Sequence, residues 1–168
     1  MYKRLLKILL TLILLFPIYI FSPAAWCQKI GKISETKDTT PEIWDKHLNI
    51  NLRAPFILSQ ELKKHLGDSP GKIINLNDWK TTRKSRFAYG VSKYSLSGLT
   101  KSLALELAPS IQVNEIALGA ILPPSDTKVN DYNKSSISFG PSKRMGKLNE
   151  ITNVIDMLIN NDYITGET

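Results

Sequence analysis

The order of helical and strand-like stretches is the feature that most constrains how this chain can fold. Apolar residues recur at helical spacing over about 41–66, and a short run at 73–76 then predicts a buried strand. A second helical stripe at about 89–107 precedes another strand-like run at 111–117, and a last stripe covers 151–159. Helices that alternate with strands predict an α/β fold, a parallel sheet with crossover helices.

Local signals mark the ends of the first predicted helix. Thr39 and Glu42 form a capping-box pattern at its start, and Gly67 follows its last apolar residue. Pro55 lies inside the stripe, so we expect the helix to kink or divide there. Near the other end of the chain, the residues 163–165 predict the beginning of a further strand.

Residues 1–30 differ in character from the rest of the chain. Lys3, Arg4 and Lys7 precede a charge-free run over 8–27, which is the pattern of a secretory signal. A run of this length is also sufficient to span a bilayer once. A third interpretation is a buried strand pair or helix of a soluble core, and a fourth is a mis-started or frameshifted reading. A signal or membrane segment would imply an exported or membrane-bound protein.

Composition narrows the remaining classes of function. Apolar residues make up 42% of the 168-residue chain and charged residues 22%, enough to bury a core. The net charge of +7 is concentrated at the N-terminus, because residues 1–30 hold four basic residues and no acidic one. We therefore expect no nucleic-acid partner. The chain has one cysteine, Cys27, and two histidines, His47 and His65, and their number and spacing argue against a metal site.

The strongest candidate for chemistry is the sequence Tyr-Gly-Val-Ser-Lys at 89–93. At helical spacing, Tyr89 and Lys93 lie one turn apart on the same face. A phenol has an ordinary pKa near 10, so it needs a nearby positive charge before it can exchange protons at neutral pH. Lys93 supplies such a charge and can also hydrogen-bond a bound ribose. A solvated surface pair is the alternative interpretation.

Several motifs in register resemble those of the short-chain dehydrogenase/reductase family, over roughly residues 38–168. They are Asn-Leu-Arg-Ala-Pro-Phe at 51–56, Ile-Ile-Asn-Leu-Asn-Asp at 73–78, the stretch at 89–93, Leu-Ala-Leu-Glu-Leu-Ala-Pro at 103–109, Ile-Gln-Val-Asn at 111–114, Arg-Met-Gly at 144–146 and Tyr-Ile-Thr-Gly at 163–166. The resemblance implies a Rossmann-like fold, a cytoplasmic location and a small-molecule substrate. NADP is the implied cofactor, with NAD as the alternative.

The resemblance also assigns roles to particular residues. Tyr89 corresponds to the catalytic acid/base, and Lys93 to the residue that lowers the tyrosine pKa and binds the nicotinamide ribose. Asn51 matches the helix asparagine that helps to hold a proton-relay water. Asp78 stands where most members have serine, as in the pteridine reductases of the family, where a carboxyl group could hand a proton to a pterin ring nitrogen. The expected cofactor-binding residues are Tyr89, Lys93, Gly119, Ala120 and Ile121.

One family feature is missing from the sequence. Gly31 is the single glycine before residue 67, so the Gly-x-x-x-Gly-x-Gly loop that cradles the pyrophosphate does not occur. We therefore expect residues 31–168 to form a partial domain, truncated at both ends, that lacks the first glycine-rich βαβ unit. The predicted function is an NAD(P)-dependent reductase of a pterin-like or carbonyl substrate. The alternative is a catalytically inactive remnant, anchored to a membrane through residues 8–27.

The family resemblance further predicts self-association. Its members usually pair the helices equivalent to about 41–66 and 89–108 across a two-fold interface. Leu58, Leu62 and Leu105 would provide apolar surface for that contact.

Overall fold

The computed structural model describes residues 35–122 and 141–168. The predicted N-terminal segment at 1–30, including the run at 8–27, lies outside these residues. Within them, no helix is long and apolar enough to cross a bilayer. The elements are, in chain order, a 3₁₀ turn Thr36–Asp38, α1 Pro41–Leu48, a π-helical turn Asn49–Arg53, α2 Ala54–Leu66, β1 Gly71–Asp78, α3 Phe87–Glu106, β2 Ile111–Leu118 and α4 Leu148–Asn160.

The first helical stretch is divided, as its sequence predicts, but the chain stays helical across the division. Pro55 has no N–H, and its ring would clash with the carbonyl four residues earlier, that of Asn51. The helix widens there, so that the Ala54 N–H bonds the carbonyl of Asn49, five residues back. Asn51 consequently sits in a π-helical turn, a distortion that is frequent at functional sites.

The two strands form a parallel pair, as predicted. Gly71 lies opposite Ile111, and the register runs to Asp78 opposite Leu118, so both strands end at the same edge of the sheet. The connection between them is α3, which makes this a strand–helix–strand crossover. Polar residues that follow the strands, or that lie in the first turns of α3, are therefore close together at the carboxyl edge of the sheet.

The core lies between α3 and the sheet. Leu103, Ala104 and Leu107 of α3 pack on Ile111 and Val113 of β2, and all five are buried. Further contacts come from partly buried apolar residues, which are Leu66 of α2, Ile73 of β1 and Leu99 of α3. This packing fixes the position of α3 relative to both strands.

The strand expected from 163–165 is not formed as a regular element. The backbone of Gly166 has φ +81°, which interrupts an extended run. The segment nevertheless runs beside β2. The Gly166 N–H donates to the carbonyl of Val113 at 2.8 Å, and the Glu115 N–H donates to the carbonyl of Glu167 at 2.8 Å. One edge of β2 is thus occupied by β1 and the other by the end of the chain.

Candidate active site

The candidate site lies at the carboxyl end of β1, where the strand meets the first turn of α3. Asp78 is the last residue of β1, and Tyr89 and Lys93 lie in the first two turns of α3. The hydroxyl of Tyr89 donates a hydrogen bond to Oδ2 of Asp78 at 3.1 Å. The structure therefore brings together Asp78 and Tyr89, which are eleven residues apart in the sequence.

Asp78 is held by three donors. Besides the Tyr89 hydroxyl, the Lys80 N–H bonds Oδ1 at 2.9 Å, and the Arg83 guanidinium forms an ion pair with Oδ2. A carboxylate that receives three donors acts here as a hydrogen-bond acceptor. The role of Asp78 as proton donor to a substrate stays a prediction.

Lys93 is almost completely buried, with 4% of its surface exposed. Its Nζ donates to the backbone carbonyl of Leu76 at 2.9 Å, so the ammonium lies beside the carboxyl end of β1. Tyr89, one helical turn earlier, is 6% exposed. Both side chains therefore leave α3 on its sheet-facing side, and the alternative of a solvated surface pair is wrong.

Asn51 reaches the same helix from the π-helical turn. Its Nδ2 donates to Oγ of Ser92 at 2.9 Å, and the Ser92 hydroxyl donates to the Tyr89 carbonyl at 2.8 Å. Asn51 is 7% exposed and Ser92 is fully buried. The predicted asparagine thus contacts the residue adjacent to Lys93, and it ties the widened helix to the turn that carries Tyr89.

Gly90 allows the loop after β1 to pack closely on α3. A Cβ at this position would lie 2.5 Å from the carbonyl oxygen of Thr81, a distance that no side chain tolerates. This contact brings the 79–86 loop over the start of α3 and places its cations at the site. Arg83 pairs with Asp78, and the Arg86 guanidinium lies 5.9 Å from the centre of the Tyr89 ring.

A histidine also packs against the Tyr89 ring. The imidazole of His47 from α1 meets the tyrosine ring edge-on, with ring centres 6.1 Å apart. Burial lowers the pKa of His47, and the charge of the neighbouring Lys46 lowers it further. His47 is therefore a neutral packing partner of Tyr89 at physiological pH.

The segment after β2 lies at the same edge of the sheet. A Cβ on Gly119 would lie 3.8 Å from the Trp79 ring, and the carbonyl of Ala120 accepts a hydrogen bond from Gly146 at 2.8 Å. Ile121 packs against Gly146. These three residues were predicted to bind the cofactor, and that role stays a prediction; of the three, Gly119 lies beside Trp79, the residue that follows Asp78.

A buried polar network behind the site was not foreseen from the sequence. Asn77 donates to the Lys93 carbonyl at 2.9 Å and to Ser97 Oγ at 3.2 Å, and its own Oδ1 accepts from the Asp78 N–H at 2.9 Å. Ser97 in turn donates to the carboxylate of Glu115 at 2.8 Å. Asn77 is 4% exposed and Glu115 is 3% exposed. Asn75 and Asn77, at alternate positions of β1, are the signal that could have indicated a polar face on that strand.

A parallel sheet with a Tyr-x-x-x-Lys helix at its carboxyl edge defines a class of dinucleotide-dependent oxidoreductases. A family model described as enoyl-(acyl carrier protein) reductase matches residues 19–168. The chain belongs to the short-chain dehydrogenase/reductase family. The match begins 16 residues before the first described residue and so reaches into the apolar N-terminal run.

Curated relatives include reductases of different substrates. The 3-oxoacyl-[acyl-carrier-protein] reductase FabG of Rickettsia bellii is 37% identical over 145 residues, covering 79% of this chain and 60% of the relative. The dihydromonapterin reductase of Enterobacter sp. (strain 638) is 32% identical over 130 residues, covering 72% and 52%. The chain thus spans between half and three-fifths of the length of these relatives.

A similar fold is found among solved structures. The FolM alternative dihydrofolate reductase 1 from Brucella canis, complexed with NADP, superposes with a TM-score of 0.68 at 32% identity. The superposition covers 76% of this chain and 52% of that one. It supports the Rossmann-like fold predicted from the sequence, of which the described residues form a part.

Proposed function

We propose that the chain carries the proton-transfer site of an NADP(H)-dependent reductase, with Tyr89 as the proton donor. The observation that carries the proposal is the buried Tyr89 hydroxyl, directed at Asp78 within the turn that also holds Lys93. A reduced nicotinamide, when bound, supplies a hydride to the substrate carbon. Tyr89 then gives its proton to the carbonyl oxygen or ring nitrogen of the substrate, and solvent replaces it.

Lys93 and Asn51 support this transfer. The buried ammonium of Lys93 stabilises negative charge left on the phenol oxygen one turn away, and it is fixed by the Leu76 carbonyl. Asn51 fixes Ser92 and, through it, the Tyr89 backbone. The two residues therefore set the orientation and charge of the site, while Tyr89 exchanges the proton.

The residues present fit one half of the proposed cofactor. Lys93 and Tyr89 can hold the nicotinamide ribose through hydrogen bonds, and we assign Gly119, Ala120 and Ile121 to the same half of the cofactor because they follow β2 at the same edge of the sheet. None of the described helices follows a strand through a glycine-rich turn, so the described part of the chain offers no cradle for the pyrophosphate.

Asp78 favours a pterin-like substrate over a simple ketone. Its carboxylate accepts from the Tyr89 hydroxyl, and the adjacent N–H groups of a pterin ring are matching donors for such an acceptor. The similarity to a dihydromonapterin reductase and to FolM proteins supports the same class. The similarity to FabG supports a carbonyl substrate instead, and the assay has to separate the two.

The test is NADPH oxidation by the purified chain at millimolar NADPH, with a dihydropteridine and a β-keto ester as parallel substrates. We expect turnover of the dihydropteridine, and we expect Tyr89→Phe to lower kcat by about a hundredfold or more because a general acid is lost. Tyr94→Phe is the matched control, since Tyr94 lies on the same helix and is 72% exposed. It should retain the parent rate.

Each other outcome has a distinct meaning. Reduction of the β-keto ester alone would keep the reductase and replace the pterin class by a carbonyl class. Turnover that survives Tyr89→Phe would refute Tyr89 as the proton donor. Lack of turnover with both substrates would favour the alternative, a non-catalytic member of the family.

A further inference from the structure

A cleft of about 540 Å³ opens beside the candidate site, at the start of α3. It is lined by residues 35–37, by residues 83–85 and by Phe87. Arg83 belongs to both places, because it lines the cleft and its guanidinium also pairs with Asp78. Phe87 begins α3 two residues before Tyr89. The cleft therefore adjoins the site of the proposed proton transfer.

Positive charge predominates in the lining of this cleft. Its cations are Lys37, Arg83 and Lys84, and its carboxylate is that of Glu35. Lys37 pairs with Glu35 at 3.2 Å, and Arg83 pairs with Asp78. Lys84 is exposed and pairs with no acidic side chain in the part of the chain that the structure describes. Within that part, the cleft therefore offers a cation to an anion from outside the chain.

The loop over 79–86 keeps its cations close together beside the site. Its charged residues are all basic, and they are Lys80, Arg83, Lys84 and Arg86. Close contact with Gly90 fixes the loop on α3, and the Arg83 Nε donates to the Lys80 carbonyl at 2.7 Å. Ser85 adopts φ +58°, a left-handed backbone that residues other than glycine rarely take and that is frequent at functional sites. A bound anion would offset the mutual repulsion of charges held in this way.

The N-terminus of α3 lies at the same cleft. Phe87 is its first residue, and Arg86, which precedes it, makes no side-chain capping bond. The first N–H groups of a helix have no partners within the helix, and they give its N-terminus a partial positive charge. An anion in the cleft would therefore lie near two sources of positive charge, the basic side chains and the end of a 20-residue helix.

We propose that this cleft binds a negatively charged substituent of the substrate, a phosphate or a carboxylate carried by a dihydropteridine. The inference rests on the pterin-like reductase proposed above and narrows its substrate class. With the pterin ring at Asp78, the substituent extends past Arg83 to Lys84. Phe87 is 40% exposed and packs against Trp44, with ring centres 5.8 Å apart. It thus offers an apolar contact to the part of the substrate between the ring and the charge.

The experiment is calorimetric titration of the full 168-residue chain in the absence of NADPH. The ligands are dihydroneopterin, which is neutral, its monophosphate, and dihydrofolate, which carries carboxylates. We expect the anionic ligands to bind about tenfold more tightly than dihydroneopterin, since each exposed ion pair strengthens binding by up to about fivefold. A preference for one anion supports the proposal and identifies the group. Equal binding of all three ligands would overturn it.

A pair of lysine substitutions tests whether the cleft supplies this preference. Lys84→Gln removes a positive charge from the cleft and should reduce the preference for the anionic ligands to about twofold. Lys101→Gln makes the same change of net charge farther along α3 and should retain the full preference. Both lysines are exposed, so we expect both variants to fold. A preference that survives Lys84→Gln, or that falls equally in Lys101→Gln, would contradict the assignment to this cleft.

The binding measurement separates this inference from the proposed function, because it requires neither NADPH nor turnover. A chain that binds the anionic ligands through Lys84 but reduces no dihydropteridine would support the cleft and contradict the reductase. Turnover of dihydroneopterin without a preference for its monophosphate would support the reductase and contradict the cleft.

Discussion

Asn77 is the residue on which the geometry of the site most depends. Its amide contacts the Lys93 carbonyl and Ser97, and its Oδ1 receives the Asp78 N–H, so it joins the end of β1 to the start of α3. Asn77→Ala would remove all three of these hydrogen bonds from a buried position. We expect the free energy of unfolding to fall by about 2–3 kcal/mol, measured by urea denaturation.

Asn160→Ala is the matched control for this prediction. Asn160 also donates through its side-chain amide to a backbone carbonyl, that of Asp156, but it lies exposed at the end of α4. Its replacement should change the unfolding free energy by less than about 0.5 kcal/mol. Equal effects of the two substitutions would show that the Asn77 network does not stabilise the site.

Sequence reasoning at the residue scale found the groups with a local signature and missed those defined by tertiary contact. Tyr89 and Lys93 are one helical turn apart, so their spacing alone predicts that they share a face. Arg83 and Glu115 have no such signature. Arg83 pairs with Asp78 because the 79–86 loop packs over Gly90. Glu115 accepts a hydrogen bond from Ser97 because α3 packs on β2.

At the scale of elements, hydrophobic periodicity predicted the helices and strands. Two elements differ from this prediction because of their backbone conformation. Pro55 divides the first helix as expected, but the chain keeps its helical course by widening at Asn51. The expected strand at 163–165 fails because Gly166 adopts a positive φ. Both differences depend on backbone conformation at one residue, which an apolar pattern does not report.

The two long helices carry apolar surface that supports the predicted self-association. Leu58 on α2 is 69% exposed and Leu105 on α3 is 84% exposed, while Leu62 is half-buried. Exposed leucines on adjacent helices are typical of an interface. We predict a homodimer in light scattering, and we expect the double substitution Leu58→Glu with Leu105→Glu to give monomers.

Leu148→Glu provides the control for that measurement. Leu148 is 60% exposed, comparable to Leu58, but it lies at the start of α4 and outside the two helices. Its substitution should leave the dimer intact. A wild-type chain that stays monomeric at high concentration would contradict the prediction, and dissociation by Leu148→Glu would move the interface to α4.

Within residues 35–122 and 141–168, the molecule combines a buried Tyr89–Lys93 turn with no glycine-rich turn between a strand and a helix. The family, the parallel sheet and the Tyr89–Lys93 turn were all predictable, since they depend on residues within 38–168. The role of residues 1–30 was not predictable, because a membrane span, a signal peptide and a buried strand can all have the same apolar composition.

The last prediction follows from the absence of a glycine-rich turn among these described residues and concerns cofactor affinity. Hydrogen bonds to charged groups contribute about 1.5–3 kcal/mol each, so loss of three to the pyrophosphate weakens binding by about a thousandfold or more. We therefore expect the 168-residue chain, which has no Gly-x-x-x-Gly-x-Gly sequence, to bind NADPH with a millimolar Kd in a fluorescence titration. Lys93→Met should weaken the residual binding further, whereas Lys101→Met, on the exposed side of the same helix, should not. A micromolar Kd would refute this reasoning, because it would require a pyrophosphate site in residues outside 35–122 and 141–168.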